Sequence, residues 1–206
     1  MQRRACLAIN ALLFICVINI YAAALPVANQ LASYLNRYVS YSANFSQVTY
    51  SAQGAVMQRS QGRMWLSRPG RFRWEVTAPR KQLIIANQGV LWVYDVDLAQ
   101  VTQQNLSRQG LTPGVLLTTP VAQLAQQFNV SMSADGWFQL QPRQSDANFT
   151  AAALKFNQGV LSAIRIVNPL GQTSEFTLQQ VQPSSKPLSN ELFQFKPPPG
   201  VDVLTD

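Results

Sequence analysis

The side chains that usually carry out chemistry are scarce in this sequence. None of its 206 residues is histidine, which removes the commonest general base, metal ligand and near-neutral pH switch together. Nine acids are left as the main proton-transfer groups. Asp95 and Asp97, in Tyr94-Asp95-Val96-Asp97-Leu98, have the spacing of paired carboxylates on one strand face. That spacing suits acid–base work or a cation, but at a strand end it also makes a turn. Asn44, Asn105, Asn129 and Asn148 each open an Asn-x-Ser/Thr triplet, and in a chain rich in Asn and Ser these read as accidental. No catalytic residue, metal site or cofactor is expected. Apolar surface is plentiful instead. Phe45, Trp65, Phe72, Trp74, Trp92 and Tyr94 lie on neighbouring predicted strands, where they either line an apolar ligand cavity or fill an ordinary core. Arg68, in Ser67-Arg68-Pro69-Gly70, stands at a turn between two of these strands, near the expected rim. There it is either a solvated turn residue or a fork of donors that latches a lid.

The elements that position these residues follow from periodicity. Met1-Gln2-Arg3-Arg4, the apolar run 5–20 and the small residues up to Ala24 have the order of a secretory signal peptide. Residues 1–24 are therefore expected to be removed, leaving a single domain, 25–206. Both cysteines, Cys6 and Cys16, leave with the signal, so the remaining chain has no thiol. Large residues, Phe14 and Ile15, precede Cys16, where lipid attachment would need small ones. The shortened chain has 14 bases and 9 acids, a net charge of +5. This mild excess suits either an anionic surface or plain solubility, and its scatter argues against nucleic acid. Charged residues make up only 12% of the chain, which excludes disorder through charge excess.

Val27, Leu31, Tyr34, Leu35 and Tyr38 recur at helical spacing, and Val121, Leu124, Ala125 and Phe128 form a second stripe after Thr119-Pro120. Thr112-Pro113 is suited to opening a shorter turn of helix. Most of the rest reads as strand: 43–50, 57–66, 71–77, 82–86, 90–95, 100–105, 130–134, 137–141, 151–156, 161–168, 173–181 and 193–196. In 71–77 strict alternation puts Phe72, Trp74 and Val76 on one face and Arg71, Arg73 and Glu75 on the other. Short turns at Asn87-Gln88-Gly89, Ala134-Asp135-Gly136 and Asn157-Gln158-Gly159 imply an antiparallel meander. A sheet this long must curl. The expected architecture is mainly β, an incomplete, unclosed antiparallel barrel with a helical lid over an apolar cavity.

The sequence also resembles a known family. The matching residues are Phe45-Ser46-Gln47, Gln61-Gly62-Arg63-Met64-Trp65, Arg68-Pro69-Gly70-Arg71-Phe72-Arg73-Trp74-Glu75, Pro79 and Gln82. They continue through Gly89-Val90-Leu91-Trp92-Val93-Tyr94-Asp95 and Gln100-Val101-Thr102 to the closing Phe193-Gln194-Phe195-Lys196-Pro197-Pro198-Pro199-Gly200-Val201. These resemble LolA, the periplasmic carrier of outer-membrane lipoproteins. The resemblance spans nearly the whole chain after the signal, although 131–186 matches only in strand pattern. It implies the same unclosed barrel and lid, and it gives Arg68 the part of the arginine that holds the lid shut through backbone groups. Phe72 corresponds to the family phenylalanine associated with transfer, and Arg73 departs towards charge. The implied cargo is acylated lipoprotein, loaded by the inner-membrane ABC transporter (LolCDE) and delivered to the outer-membrane receptor (LolB) by a monomer in the periplasm of a Gram-negative bacterium. Two other classes remain open: a periplasmic sensor or chaperone domain for lipoproteins or unfolded protein, and a hydrolase using carboxylates such as Asp95 or Glu175.

Overall fold

In the computed structural model, residues 26–106, 112–144 and 149–205 are described. The expected signal peptide, with Cys6 and Cys16, and Asn148 lie outside them. The chain begins with α1 (Val27–Asn36), followed by β1 (Ser40–Tyr50), β2 (Val56–Ser67), β3 (Arg71–Ala78), β4 (Gln82–Asn87), β5 (Val90–Asp95) and β6 (Gln100–Asn105). Two short helices follow, α2 (Pro113–Thr118) and α3 (Val121–Gln127). The second run is β7 (Phe128–Met132), β8 (Trp137–Pro142), β9 (Ala151–Asn157), β10 (Val160–Val167) and β11 (Thr173–Ser184). A 3-10 turn, Asn190–Phe193, and β12 (Asp202–Thr205) complete it.

All strands join one sheet in the order β12-β6-β5-β4-β3-β2-β1-β11-β10-β9-β8-β7. It consists of two antiparallel meanders joined where β1 pairs with β11. β12 and β7 form its free edges, so the barrel does not close. Register shifts between Ser42 and Asn44, Gln61 and Gly62, and Leu161 and Ala163 add local twist that bends the sheet. Gly62 permits the tightest approach. A Cβ there would sit 1.8 Å from the Glu75 carbonyl oxygen, so only glycine lets β2 and β3 meet at that point.

The link between β6 and β7 carries α2 and α3 across the concave face, where α1 joins them. The amphipathic pattern of α1 buries Leu31 and Leu35, and Tyr34 packs on Phe138 and Phe156 with ring centroids 5.8 and 5.1 Å apart. The Thr112 hydroxyl caps α2 by accepting from Val115 N at 3.2 Å, and Pro113 occupies the first turn, where its missing N–H is harmless. In α3 the cap is Pro120 rather than Thr119, and Phe128 belongs to β7. No helix among the described residues is long and apolar enough to cross a membrane.

The C-terminal segment corrects two expectations. Residues 193–196 are not a strand: Phe193 ends the 3-10 turn, and 194–196 continue from it without joining the sheet. Phe193 sits beneath the Arg71 guanidinium, 5.4 Å from its ring centroid, and Arg71 also donates to Asn190 Oδ1. The final strand is Asp202–Thr205, beyond Pro197-Pro198-Pro199, which lack the N–H groups a ladder needs. It pairs with β6 in parallel, so the sheet is not wholly antiparallel.

Candidate functional site

Between α2 and the concave face is a cavity of about 200 Å³. β3 contributes Phe72, Trp74 and Val76; β4 and β5 contribute Ile84, Leu91 and Val93; β11 contributes Phe176; and Thr112, Pro113 and Gly114 roof it. The antiparallel register explains this wall. Phe72, Ala86 and Leu91 lie opposite one another across three strands, and Trp74, Ile84 and Val93 form the next row. Phe45 borders the wall: its ring lies 4.4 Å from Trp74 and 6.1 Å from Phe176, and Trp74 meets Phe176 edge-on at 5.4 Å. Gln47 and Gln82 also line the cavity. Ser60 Oγ donates to Gln47 Oε1 at 2.9 Å, and Gln47 Nε2 donates to Thr49 Oγ1 at 3.2 Å.

Of the six aromatics expected in this wall, the fold brings Phe45, Phe72 and Trp74 together on the concave side. Trp65, Trp92 and Tyr94 are on the convex side, which corrects that expectation. In β2 the inward positions belong to Met64 and Leu66, both almost fully buried. Trp65 between them faces out, 5.6 Å beneath the Arg63 guanidinium, in a shallow groove with Asn44 and Gln180. In β5 Leu91 and Val93 point in. Trp92 and Tyr94 point out and are covered by Phe195, with ring centroids 5.6 and 6.0 Å away. Val76, which the alternation of β3 already placed on this face, also lines the cavity, as do Ile84, Leu91, Val93 and Phe176, which the sequence did not single out. The parity of Phe72 and Trp74, carried through the hairpin register, is the signal that identifies most of them.

Arg68 stands at the end of β2, where the backbone leaves the sheet. Its N–H donates to Val39 O at 2.9 Å. Its side chain enters the gap between the two helices: Nε donates to Leu117 O of α2 at 2.7 Å, and Nη1 donates to Leu35 O of α1. Both carbonyls belong to last helical turns, which lack intrahelical donors and favour positive charge. Gly70 N adds a bond to Thr118 O at 3.3 Å. Burial lowers the Arg68 pKa from its ordinary value, with the neighbouring Tyr41 acting in the opposite direction, but a guanidinium keeps its proton in proteins. One half-buried cation thus fastens two helices to the barrel.

The candidate carboxylates Asp95 and Glu175 each have a structural partner. Asp95 Oδ1 accepts from the backbone N–H groups of Asp97 and Leu98, each at 3.1 Å, as a turn-forming residue does. Glu175 pairs with Arg165 at 2.8 Å. Among the described residues no three metal-ligating side chains cluster.

An unclosed sheet, an apolar concave cavity and an arginine tied to the helices above it occur together on one chain. Residues 36–196 match the family described as outer membrane lipoprotein carrier protein LolA. This chain belongs to the LolA family. It is 41% identical over 191 residues to an outer-membrane lipoprotein carrier protein of Coxiella burnetii (strain CbuK_Q154), covering 90% of each chain. The corresponding protein of Legionella pneumophila (strain Corby) is 40% identical over 181 residues, 86% of this chain and 89% of that one. That of Pseudomonas aeruginosa (strain UCBPP-PA14) is 34% identical, covering 86% of each. At the level of fold alone, an uncharacterized conserved protein from Thermus thermophilus superposes with a TM-score of 0.52 at 11% identity, over 87% of this chain and 99% of that chain. The segment matched to LolA includes Arg68, Phe72, Trp74 and both lid helices of the β6–β7 link.

Proposed function

We propose that this LolA-family chain is the soluble periplasmic carrier that takes acylated lipoproteins from the inner-membrane ABC transporter (LolCDE), shelters their acyl chains beneath its helices, and gives them to the outer-membrane receptor (LolB). The problem it answers is physical. Each buried methylene holds a lipid anchor in the bilayer by about 0.8 kcal/mol, so two or three chains together do not leave unaided. The observation that carries the reading is Arg68 tying α1 and α2 across an apolar cavity. At about 200 Å³ the cavity with these bonds in place is below the roughly 300–1,000 Å³ of ordinary small-molecule sites. A lipid therefore enters by displacing the helices and breaking these bonds. A hydrogen bond from a charged group contributes about 1.5–3 kcal/mol, and re-forming the two would favour expulsion of cargo to a tighter-binding acceptor. In this reading the carrier performs no catalysis, in keeping with the use of Asp95 in a turn and Glu175 in an ion pair.

The test mixes the secreted full chain with the transporter in membranes, ATP and a triacylated lipoprotein, and follows the chain by native mass spectrometry. A one-to-one complex that then passes cargo to the receptor is expected; no mass shift would overturn the carrier reading. Arg68→Leu, which breaks both side-chain bonds, is expected to fold, load and then retain its cargo. Transfer by that variant at the wild-type rate would overturn the latch.

A further inference from the structure

Tyr41 on β1 is 3% exposed, yet its Oη makes no hydrogen bond among the described residues. A buried hydroxyl without a partner is disfavoured, and this one lies beside the latch. Tyr41 pairs with Leu66 and Ser40 with Ser67. The next step in that register is the bond from Arg68 N to Val39 O. Arg68 and Tyr41 are therefore diagonal neighbours on one face of the β1–β2 pair, within reach of long side chains. The Tyr38 ring packs edge-on against Tyr41 at 5.6 Å, and Arg37 lies over Tyr38. Burial pushes the Tyr41 phenol up to about 12, with the charge of Arg68 opposing it, so at neutral pH the hydroxyl keeps its proton and can both accept and donate.

The acceptors Arg68 now uses, Leu35 O and Leu117 O, both travel with the helices. When the helices move away, the arginine keeps its place in the sheet and loses both. We propose that Tyr41 is the positioning residue of the latch: its Oη accepts the Arg68 guanidinium when α1 and α2 leave, and so raises the population of the open lid. The inference rests on the reading of Arg68 as the latch. Because the hydroxyl makes no bond in the closed arrangement, Tyr41→Phe removes nothing that holds the lid shut. It does remove the acceptor on which the open arrangement depends.

The test measures the open-to-closed ratio of the secreted full chain from electron–electron distances between nitroxides attached at Asn29→Cys on α1 and Gln58→Cys on β2. The ratio is compared for the wild type, Tyr41→Phe, Arg68→Leu and the pair combined. Tyr41→Phe is expected to lower the ratio about tenfold, as loss of a bond to a charged group would, and Arg68→Leu to raise it. In the Arg68→Leu background Tyr41→Phe is expected to have no effect. The same tenfold drop in that background would overturn the proposal, since the phenol would then act only as a buried orphan. An unchanged ratio for Tyr41→Phe alone, with Arg68→Leu still raising it, would also overturn it and leave the latch standing. An unchanged ratio for Arg68→Leu would instead refute the latch reading beneath it. If Arg68→Leu fails to give the native circular dichroism spectrum, Arg68→Met, of similar length and without donors, replaces it in the same cycle.

Discussion

Gly114 lets α2 lie directly on the Phe72 ring. A Cβ built at this position meets three atoms of that ring at 2.6, 2.7 and 2.7 Å, whereas carbon atoms at ease sit about 3.5–4.0 Å apart. Gly114→Ala therefore requires a displacement of about 1 Å. The ring has little room to supply it, because Phe72 is 3% exposed and fixed between Leu66 on β2 and Ala86 on β4. The helix must lift instead, drawing Leu117 O away from Arg68 Nε and Thr118 O away from Gly70 N. Overpacking of this kind costs about 1–3 kcal/mol, and the better helix propensity of alanine returns up to about 1 kcal/mol of it. A net loss of one or two kcal/mol in the closed arrangement alone shifts the lid equilibrium towards opening by roughly 5–30-fold. The assay is binding of an apolar fluorescent dye to the ligand-free chain, with amide exchange of α2 measured alongside. Gly114→Ala is expected to bind more dye and to exchange faster in α2 while its far-ultraviolet spectrum stays native. Dye binding and exchange equal to wild type in the folded variant would refute the claim that α2 is seated on Phe72.

Two further expectations concern the wall and the latch. Trp74→Asp places an unpaired carboxylate in the apolar cavity, a cost of about 2 kcal/mol or more, and should sharply weaken binding of a fluorescent acyl probe. Trp65→Asp, on the convex face beside Arg63, should leave that affinity nearly unchanged, and equal losses for the two would contradict the assigned faces. For Tyr41 the sign follows from linkage: the folded chain holds the phenolic proton up to about 12, against 10.0 for a free tyrosine. Its contribution to stability is complete below pH 10 and is lost as pH rises towards 12, by about 3 kcal/mol. Urea titrations at pH 9, 10, 11 and 12 should show wild type losing that much more than Tyr41→Phe, and parallel curves would exclude Tyr41 as the cause.

Local pattern was decisive wherever one face of an element is wet. In β3 the charges of Arg71, Arg73 and Glu75 alternate with Phe72, Trp74 and Val76, so the sequence alone assigns the inner face, and the structure agrees. The apolar stripe of α1 and the cap and proline that open α2 were readable in the same way. In β5 the run Val90-Leu91-Trp92-Val93-Tyr94 has no polar phase. Either parity fits, and the larger aromatic side chains suggest the wrong one. Which residues face the cavity there depends on Phe195, about a hundred positions away, covering the other side.

Sequence and family resemblance therefore determined the class of fold and the existence of a lidded apolar interior, and pointed to Arg68 as a residue to follow. Only the tertiary structure decided what Arg68 holds. Its acceptors are main-chain carbonyls 33 and 49 residues away, and any residue type supplies a carbonyl, so no side chain marks the partners in advance. The close seat of Gly114 on Phe72 and the unpartnered hydroxyl of Tyr41 are hidden for the same reason. Periodicity reports which side of an element avoids water, but contacts between distant elements arise only once the sheet has curled and brought them together.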